Sequence, residues 1–153
     1  MMMERVPAQA GQENETLSCL LDANVVSELT RDRSEPRVIA FLSEQPDLWI
    51  FTLVLHELEY GLELLPHGAR RDGLEAVFTA FVAEYGESIL PLDRMAARWA
   101  GRFRAGSHRS GRVLDLGDAL IAGTARAHEL SLATRNVRDF DRLDLEVTNP
   151  WGA

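Results

Sequence analysis

Short apolar runs alternate with longer helical stretches along this chain, and this alternation constrains the fold more than any other feature. The predicted strands cover residues 17–21, 49–53, 88–90, 130–134 and 145–148. The predicted helices cover residues 24–30, 35–44, 54–65, 69–85, 94–104 and 117–128, with a loop at 106–111. Strands that alternate with helices pair in parallel and are joined by right-handed crossovers. The sequence therefore predicts an α/β domain with a mainly parallel sheet of about four to five strands.

Length and composition bound the organisation of the chain. Its 153 residues, 46% of them hydrophobic, suffice for one ordinary domain, which we place at residues 17–153. The polar segment 1–16 has no apolar stretch and is predicted to be a flexible leader. Cys19 is the single cysteine, which argues against an intramolecular disulfide and favours a reducing cytoplasm. The longest apolar run, 48–55, is far shorter than the roughly 20 residues of a membrane span, so no membrane partner is expected.

The basic residues are all arginine, and the absence of lysine excludes several kinds of phosphate chemistry. The chain has 16 basic residues against 24 acidic ones and a net charge of −8. A Walker A phosphate loop requires a lysine, and so does a pyridoxal Schiff base. Phosphoryl chemistry in this chain would therefore need another source of positive charge.

Four acidic residues lie near the ends of predicted strands or at the start of a helix. Asp22 ends the first strand, Glu57 follows the second, Asp139 follows the fourth, and Asp118 opens the helix at 117–128. Because ligands of open parallel sheets bind at the carboxyl ends of the strands, we expect these acids to converge. Clustered carboxylates repel one another unless a cation lies among them, and oxygen ligands suit Mg²⁺ or Mn²⁺. Metal-assisted hydrolysis of a phosphodiester is the chemistry that fits this pattern.

Each acid also has a purely structural interpretation. Asp22 and Asp118 could each cap a helix, Glu57 could be a solvated helix residue, and Asp139 could be a turn residue. The small residues of the helix at 117–128 indicate either an interaction face or close packing on the sheet. The joint placement of the acids, rather than any single residue, favours the metal site.

Four segments resemble the motifs of PIN-domain nucleases. They are LLDANVVSEL around Asp22, ELEYG from Glu57, DALIAGTA from Asp118, and LATRNVRDF, which ends one residue after Asp139. The segments occur in the family's order and span nearly the whole predicted domain. The compact size resembles the VapC type, the toxin half of bacterial toxin–antitoxin pairs. The resemblance implies a three-layer α/β/α domain with Mg²⁺- or Mn²⁺-dependent endoribonuclease activity.

The resemblance also implies roles for individual residues. The metal-binding core would consist of Asp22, Glu57 and Asp118, completed by Asp139 through water or a second metal ion. Thr134 and Asn136 would orient a water molecule or the phosphate. Some relatives carry an acid at the position of Asn136, so the fourth site residue stays open between Asp139 and Asn136. Two further acids, Asp115 and Glu59, lie close to the motifs and would at most support these ligands.

The VapC type implies partners as well as a substrate. The substrate would be RNA, and a small VapB-like antitoxin would occlude the acidic site with a basic side chain. We expect a homodimer, with contact to DNA only through the antitoxin. Two alternatives are a catalytically silent PIN-like subunit that binds partners in a DNA-bound repressor complex, and a nuclease of the same fold that cleaves DNA.

Arginine is unevenly distributed along the chain. Residues 94–142 hold ten arginines and five acids, whereas residues 1–93 hold six arginines and seventeen acids. Within the basic part, an acid-free run contains Arg102, Arg104, Arg109 and Arg112. The run is either a solvated helix face or a contact for the RNA backbone, because guanidinium groups bind phosphates in bidentate fashion.

Overall fold

A five-stranded parallel sheet forms the centre of the protein in a computed structural model, which describes residues 18–152. The predicted leader at 1–16 lies outside the described residues. The strands are β1 (Ser18–Leu21), β2 (Asp47–Phe51), β3 (Ile89–Leu90), β4 (Ser131–Ala133) and β5 (Val147–Thr148). Their order across the sheet is β3-β2-β1-β4-β5, and every pairing is parallel. The predicted parallel sheet is thus confirmed, with β1 at its centre.

Within residues 18–152, six α-helices surround the sheet and complete a three-layer α/β/α arrangement, as predicted. They are α1 (Ala23–Glu28), α2 (Pro36–Glu44), α3 (Thr52–Glu63), α4 (Ala69–Glu84), α5 (Arg94–Arg109) and α6 (Leu116–Ala127). Single 3₁₀ turns lie at Gly86–Ser88 and Val137–Asp139. Between residues 18 and 152, no helix is both long enough and apolar enough to cross a bilayer.

The predicted loop at 106–111 is wrong over most of its length, because α5 continues through Gly106 to Arg109. The backbone N–H of Ser110 still bonds to the carbonyl of Gly106, so the glycine does not interrupt the helix. The helix ends just before Gly111, whose φ of +82° places it in the left-handed region that glycine tolerates best. About one turn of helix, which ends in Arg109, therefore stands where a loop was expected.

Close packing of α5 against α6 explains the small residues of α6. Gly123 and its neighbours Ala119, Ala122 and Ala125 are buried. A methyl group added at Gly123 would collide with the carbonyl oxygen of Ala96 and would lie 2.7 Å from the backbone nitrogen of Ala100. The two helix backbones approach each other directly at Gly123, so this residue reflects close packing against α5 rather than the packing on the sheet that was considered.

Candidate active site

Asp22 lies at the carboxyl end of the central strand β1, and each of its two carboxylate oxygens accepts a hydrogen bond from a different group. Oδ1 accepts the backbone N–H of Ala23 at 2.8 Å and so caps α1. Oδ2 accepts the hydroxyl of Thr134 at 2.8 Å, from the end of the neighbouring strand β4. The capping interpretation of Asp22 is therefore correct, but it leaves the carboxylate facing the other acids.

Thr134 is the centre of a hydrogen-bond network that fixes Asp22. The side chain is fully buried, and its oxygen accepts the side-chain amide of Asn24 at 3.3 Å and the backbone N–H of Asn136 at 3.1 Å. The carbonyl oxygen of the Asn24 side chain in turn accepts the backbone N–H of Arg135 at 3.2 Å. The sequence analysis did not assign Asn24 to the site. Its position two residues after Asp22 was the feature of the sequence that could have indicated this role.

A pocket of about 260 Å³, here called the acidic cavity, opens at this edge of the sheet. Its lining includes Asp22, Asn24, Glu57, Asp115, Asp118 and Asn136. Glu57 comes from the second turn of α3, and Asp118 comes from the first turn of α6. The cap of α6 is Asp115, whose Oδ2 accepts the N–H of Gly117 at 3.1 Å, so the alternative interpretation of Asp118 as a helix cap is wrong. Because Asp118 does not cap the helix, its carboxylate can line the pocket.

Asp139 faces the same group of acids from the 3₁₀ turn Val137–Asp139. It lines a second pocket of about 500 Å³, here called the arginine cavity, which also contains Asp115 and Asp118. The negative charge of Asp139 acts on both Asp22 and Asp118. Four carboxylates from separate segments are thus brought together, whereas Glu59 lies outside both cavities and interacts with Glu63.

Burial and mutual repulsion disfavour the charged forms of these acids. Loss of hydration, followed by the charges of Asp22 and Asp139, raises the pKa of Asp118 from 3.8 to about 6. The pKa of Asp22 is also raised, chiefly by burial, although the Thr134 hydrogen bond opposes that rise. Burial and the charge of Asp22 raise the pKa of Glu57. A cation in this pocket would favour the ionised carboxylates by cancelling the repulsion.

The chemistry of the donors fits Mg²⁺ or Mn²⁺, which prefer carboxylate and carbonyl oxygens. Within the described range 18–152, no three His, Cys, Asp or Glu side chains are already grouped closely enough to hold a metal ion. Asp22, Glu57 and Asp118 line the acidic cavity and Asp139 lines the adjoining one, so metal binding would require these side chains to move closer together. Asp22 has the least freedom to move, because both of its oxygens are hydrogen-bonded.

The four arginines predicted to contact RNA fall into two groups. Arg102 and Arg112 line the arginine cavity, next to Asp118 and Asp139. Arg104 and Arg109 line a neighbouring depression, here called the basic groove, to which Arg112 also contributes. Arg142 lines the arginine cavity as well, and sequence reasoning missed it because it lies 30 residues beyond the arginine run.

The raised pKa of Asp118 predicts a pH-dependent stability of the metal-free protein. Between pH 4 and 6 the folded state retains a proton that the unfolded state has lost, so the free energy of unfolding should fall as the pH rises through this window. Asp118→Asn removes that penalty. At pH 7 we expect the variant to be more stable by on the order of 1 kcal/mol, allowing for solvent screening of a partly exposed carboxyl.

Urea denaturation in EDTA, at pH 4 and at pH 7, measures this effect as the difference between wild type and Asp118→Asn. The difference should be small at pH 4 and should favour the variant at pH 7. An equal difference at both pH values would contradict the assigned electrostatic cause.

Comparison with known proteins agrees with the fold. Residues 19–146 match the family model of the PIN domain, and the chain belongs to this family. The chain is similar to toxin FitB of Neisseria gonorrhoeae, with 33% identity over 135 residues, covering 86% of this chain and 97% of FitB. It is equally similar to VapC ribonuclease Y4jK of Sinorhizobium fredii, with 33% identity over 138 residues, 86% of this chain and 96% of the relative. The predicted resemblance to VapC-type PIN domains is confirmed.

Solved structures with the same fold come from toxin–antitoxin complexes. The chain aligns with FitAcB of Neisseria gonorrhoeae at a TM-score of 0.82 and 32% identity, over 88% of this chain and 99% of the other. It aligns with a DNA-bound VapBC of Salmonella typhimurium at a TM-score of 0.73 and 25% identity, again over 88% and 99%. These alignments support the three-layer α/β/α architecture.

Proposed function

We propose that the chain is an endoribonuclease that depends on a divalent metal ion, Mg²⁺ or Mn²⁺, and hydrolyses RNA phosphodiester bonds. The observation that carries this proposal is the convergence of Asp22, Glu57, Asp118 and Asp139 at the carboxyl edge of the sheet. Burial, followed by the charges of the neighbouring acids, raises the pKa of Asp118 to about 6 and disfavours its ionised form. A purely structural role gives no reason for that arrangement, whereas cation binding does.

Each residue of the site has a proposed role that follows from its position. Asp22, Glu57 and Asp118 would hold the metal ion, and Asp139 would complete the site through water or a second ion. A metal ion held there would supply a nucleophilic water and would neutralise charge on the phosphate. Thr134 holds the Asp22 carboxylate in one orientation, and Asn136, at the wall of the acidic cavity, is placed to orient the water or the phosphate.

Thr134→Val tests the orienting role of the hydroxyl. The change keeps the shape of the side chain but removes the hydrogen bond to Asp22 and the acceptor for Asn136. We expect a loss of about 10- to 100-fold in kcat/KM for RNA cleavage, the usual effect of removing a partner of a metal ligand. Thr134→Ser keeps the hydroxyl and should stay near wild-type activity. Equal impairment of both variants would point to packing instead.

We further propose that the protein acts as the toxin of a toxin–antitoxin pair in the cytoplasm. The relatives include proteins named toxin and VapC ribonuclease, and the structural neighbours are complexes that contain an antitoxin or DNA. A small VapB-like antitoxin would occlude the acidic cavity with a basic side chain, because the clustered carboxylates favour a cation there. The toxin would form a homodimer and would contact DNA only through the antitoxin.

Induced expression in a bacterial host tests the toxin role. Wild-type protein should arrest growth and degrade RNA, whereas Asp118→Asn should do neither, and co-expression of the antitoxin should prevent arrest. Equal accumulation of both proteins, verified by immunoblot, is the control. If the wild type and Asp118→Asn both arrested growth, hydrolysis at this site would be contradicted. That result would favour the alternative of a catalytically silent subunit that binds partners. Parallel assays on RNA and DNA of the same sequence distinguish a ribonuclease from a DNA-cleaving enzyme of the same fold.

A further inference from the structure

The arginine cavity, of about 500 Å³, adjoins the acidic cavity, and two of the four proposed metal-site acids, Asp118 and Asp139, lie in its wall. It lies between the C-terminal half of α5, the segment 110–115 and the segment 139–144. Asp115 and Asp118 line both cavities. A group bound in the arginine cavity would therefore lie directly beside the acids that hold the metal. Its volume is in the range of pockets that hold small organic ligands, about 300–1,000 Å³.

The interior of the arginine cavity combines apolar surface with hydroxyl groups. Phe103, which is 7% exposed, contributes an aromatic ring, and Leu114 and Leu143 contribute aliphatic surface. Ser107 and Ser110 add hydroxyl groups on the α5 side. A flat ring with apolar faces and polar edges matches such a lining, and a nucleobase has that chemistry.

Arginine residues surround this interior, and two of them are held by neighbouring groups. The Arg112 guanidinium donates to the backbone carbonyl of Arg138 at 3.1 Å and to Asp141 at 3.4 Å. The Arg102 guanidinium lies 5.0 Å from the centroid of the Trp99 ring. Positioned guanidinium groups are well suited to phosphate oxygens. The same lining also holds four carboxylates, so the arginines alone are the groups that favour an anionic occupant; the carboxylates belong to Asp115, Asp118, Asp139 and Asp144.

We propose that the arginine cavity binds one unpaired nucleotide of the RNA substrate, immediately next to the phosphate that is cleaved. The base would pack against Phe103 and Leu143, and the flanking phosphates would bind Arg102 and Arg112. The chain would then continue toward the basic groove, which Arg112 borders. This inference rests on the proposed ribonuclease function and adds to it a subsite for the base next to the cleaved bond, which must be displaced from the stack to enter the cavity.

A scan of abasic positions in the substrate tests the proposal directly. Once a cleaved bond has been mapped in a single-stranded RNA, each neighbouring nucleotide is replaced in turn by an abasic one. Base stacking on aromatic side chains predicts a loss of about 10- to 100-fold in kcat/KM at one position next to the bond and little loss elsewhere. Pairing that nucleotide in a duplex should have a similar effect. Uniform cleavage of all the abasic RNAs would overturn the proposal.

Ser107→Trp fills the arginine cavity without altering a charge. Ser107 is partly exposed, so the larger side chain can be accommodated, and Ala97→Trp on the exposed part of α5 is the matched control. We expect Ser107→Trp to lose at least about 10-fold in kcat/KM on intact RNA, with the loss mainly in KM, but to lose little on the RNA that is abasic at the sensitive position. Ala97→Trp should resemble wild type on both RNAs.

The two substrates together separate the possible results. If Ser107→Trp lowered kcat/KM equally on intact and abasic RNA, base binding in the cavity would be overturned. If the variant cleaved RNA normally but was no longer inhibited by the antitoxin, the cavity would instead be assigned to the antitoxin. If the wild-type protein cleaved intact RNA and every abasic RNA at the same rate, the cavity assignment would be overturned while the ribonuclease function would stand. A wild type that cleaves no RNA would overturn both.

Discussion

Asp118→Asn is expected to reduce the rate of RNA cleavage by at least about 100-fold. Asp118 lies in the first turn of α6, lines both cavities, and feels the charges of Asp22, Asp139, Asp115 and Glu57. An amide keeps the shape of the side chain but removes the negative charge that a metal ion requires. Loss of a group that merely orients a ligand costs about 10- to 100-fold, so loss of the ligand itself should cost more.

Initial rates of cleavage at saturating Mg²⁺ measure the effect. Asp32→Asn, at an exposed position between α1 and α2, removes one negative charge far from the cavities and should retain wild-type activity. The denaturation experiment above shows independently whether Asp118→Asn is folded. A folded variant that keeps more than a tenth of the wild-type rate would remove Asp118 from the metal site.

The second large effect concerns stability. Gly123→Ala is expected to lower the free energy of unfolding by about 2–3 kcal/mol, because the added methyl group meets the backbone of α5 at Ala96 and Ala100 rather than a side chain that could move. The better helix propensity of alanine, worth up to about 1 kcal/mol, offsets only part of this cost. Thermal unfolding should occur about 5–10 °C below that of the wild type.

Gly101→Ala is the matched control for this prediction. Gly101 also lies inside a helix, α5, but a methyl group there would meet nothing within 4 Å. The substitution should therefore leave stability unchanged or raise it by up to about 1 kcal/mol. If Gly101→Ala and Gly123→Ala shifted the unfolding temperature equally, the close approach of α5 and α6 would not be the cause.

The sequence predicts the fold well because hydrophobic patterning and turn residues act locally. All five predicted strands are present, and small shifts occur where two patterns overlap. The second strand was predicted at 49–53 but spans Asp47–Phe51, because Thr52 begins α3 and donates its hydroxyl to the carbonyl of Leu90 at 2.8 Å. The convergence of the acids was predictable from topology, because parallel strands deliver their carboxyl ends to one edge.

Features that depend on tertiary packing could not be predicted as well from the sequence. The packing of α5 on α6 accompanies the continuation of α5 through Gly106, where local propensity predicted a loop. The choice of Asp115 over Asp118 as the cap of α6 depends on a shift of three residues in the start of the helix. Arg142 joins Arg102 and Arg112 at one cavity only because the segment 139–144 folds back beside α5. No pattern within a short window of sequence carries that information.

Cleavage of RNA by the purified protein, free of antitoxin, tests the central claim most directly. The reaction is followed over time with Mg²⁺, with Mn²⁺ and with EDTA. We predict discrete RNA fragments with either metal, no cleavage in EDTA, and recovery when Mg²⁺ is added in excess of the chelator. Cleavage that persists unchanged in EDTA, or an inert wild-type protein that nevertheless binds the metal, would contradict a metal-dependent ribonuclease built on these four carboxylates.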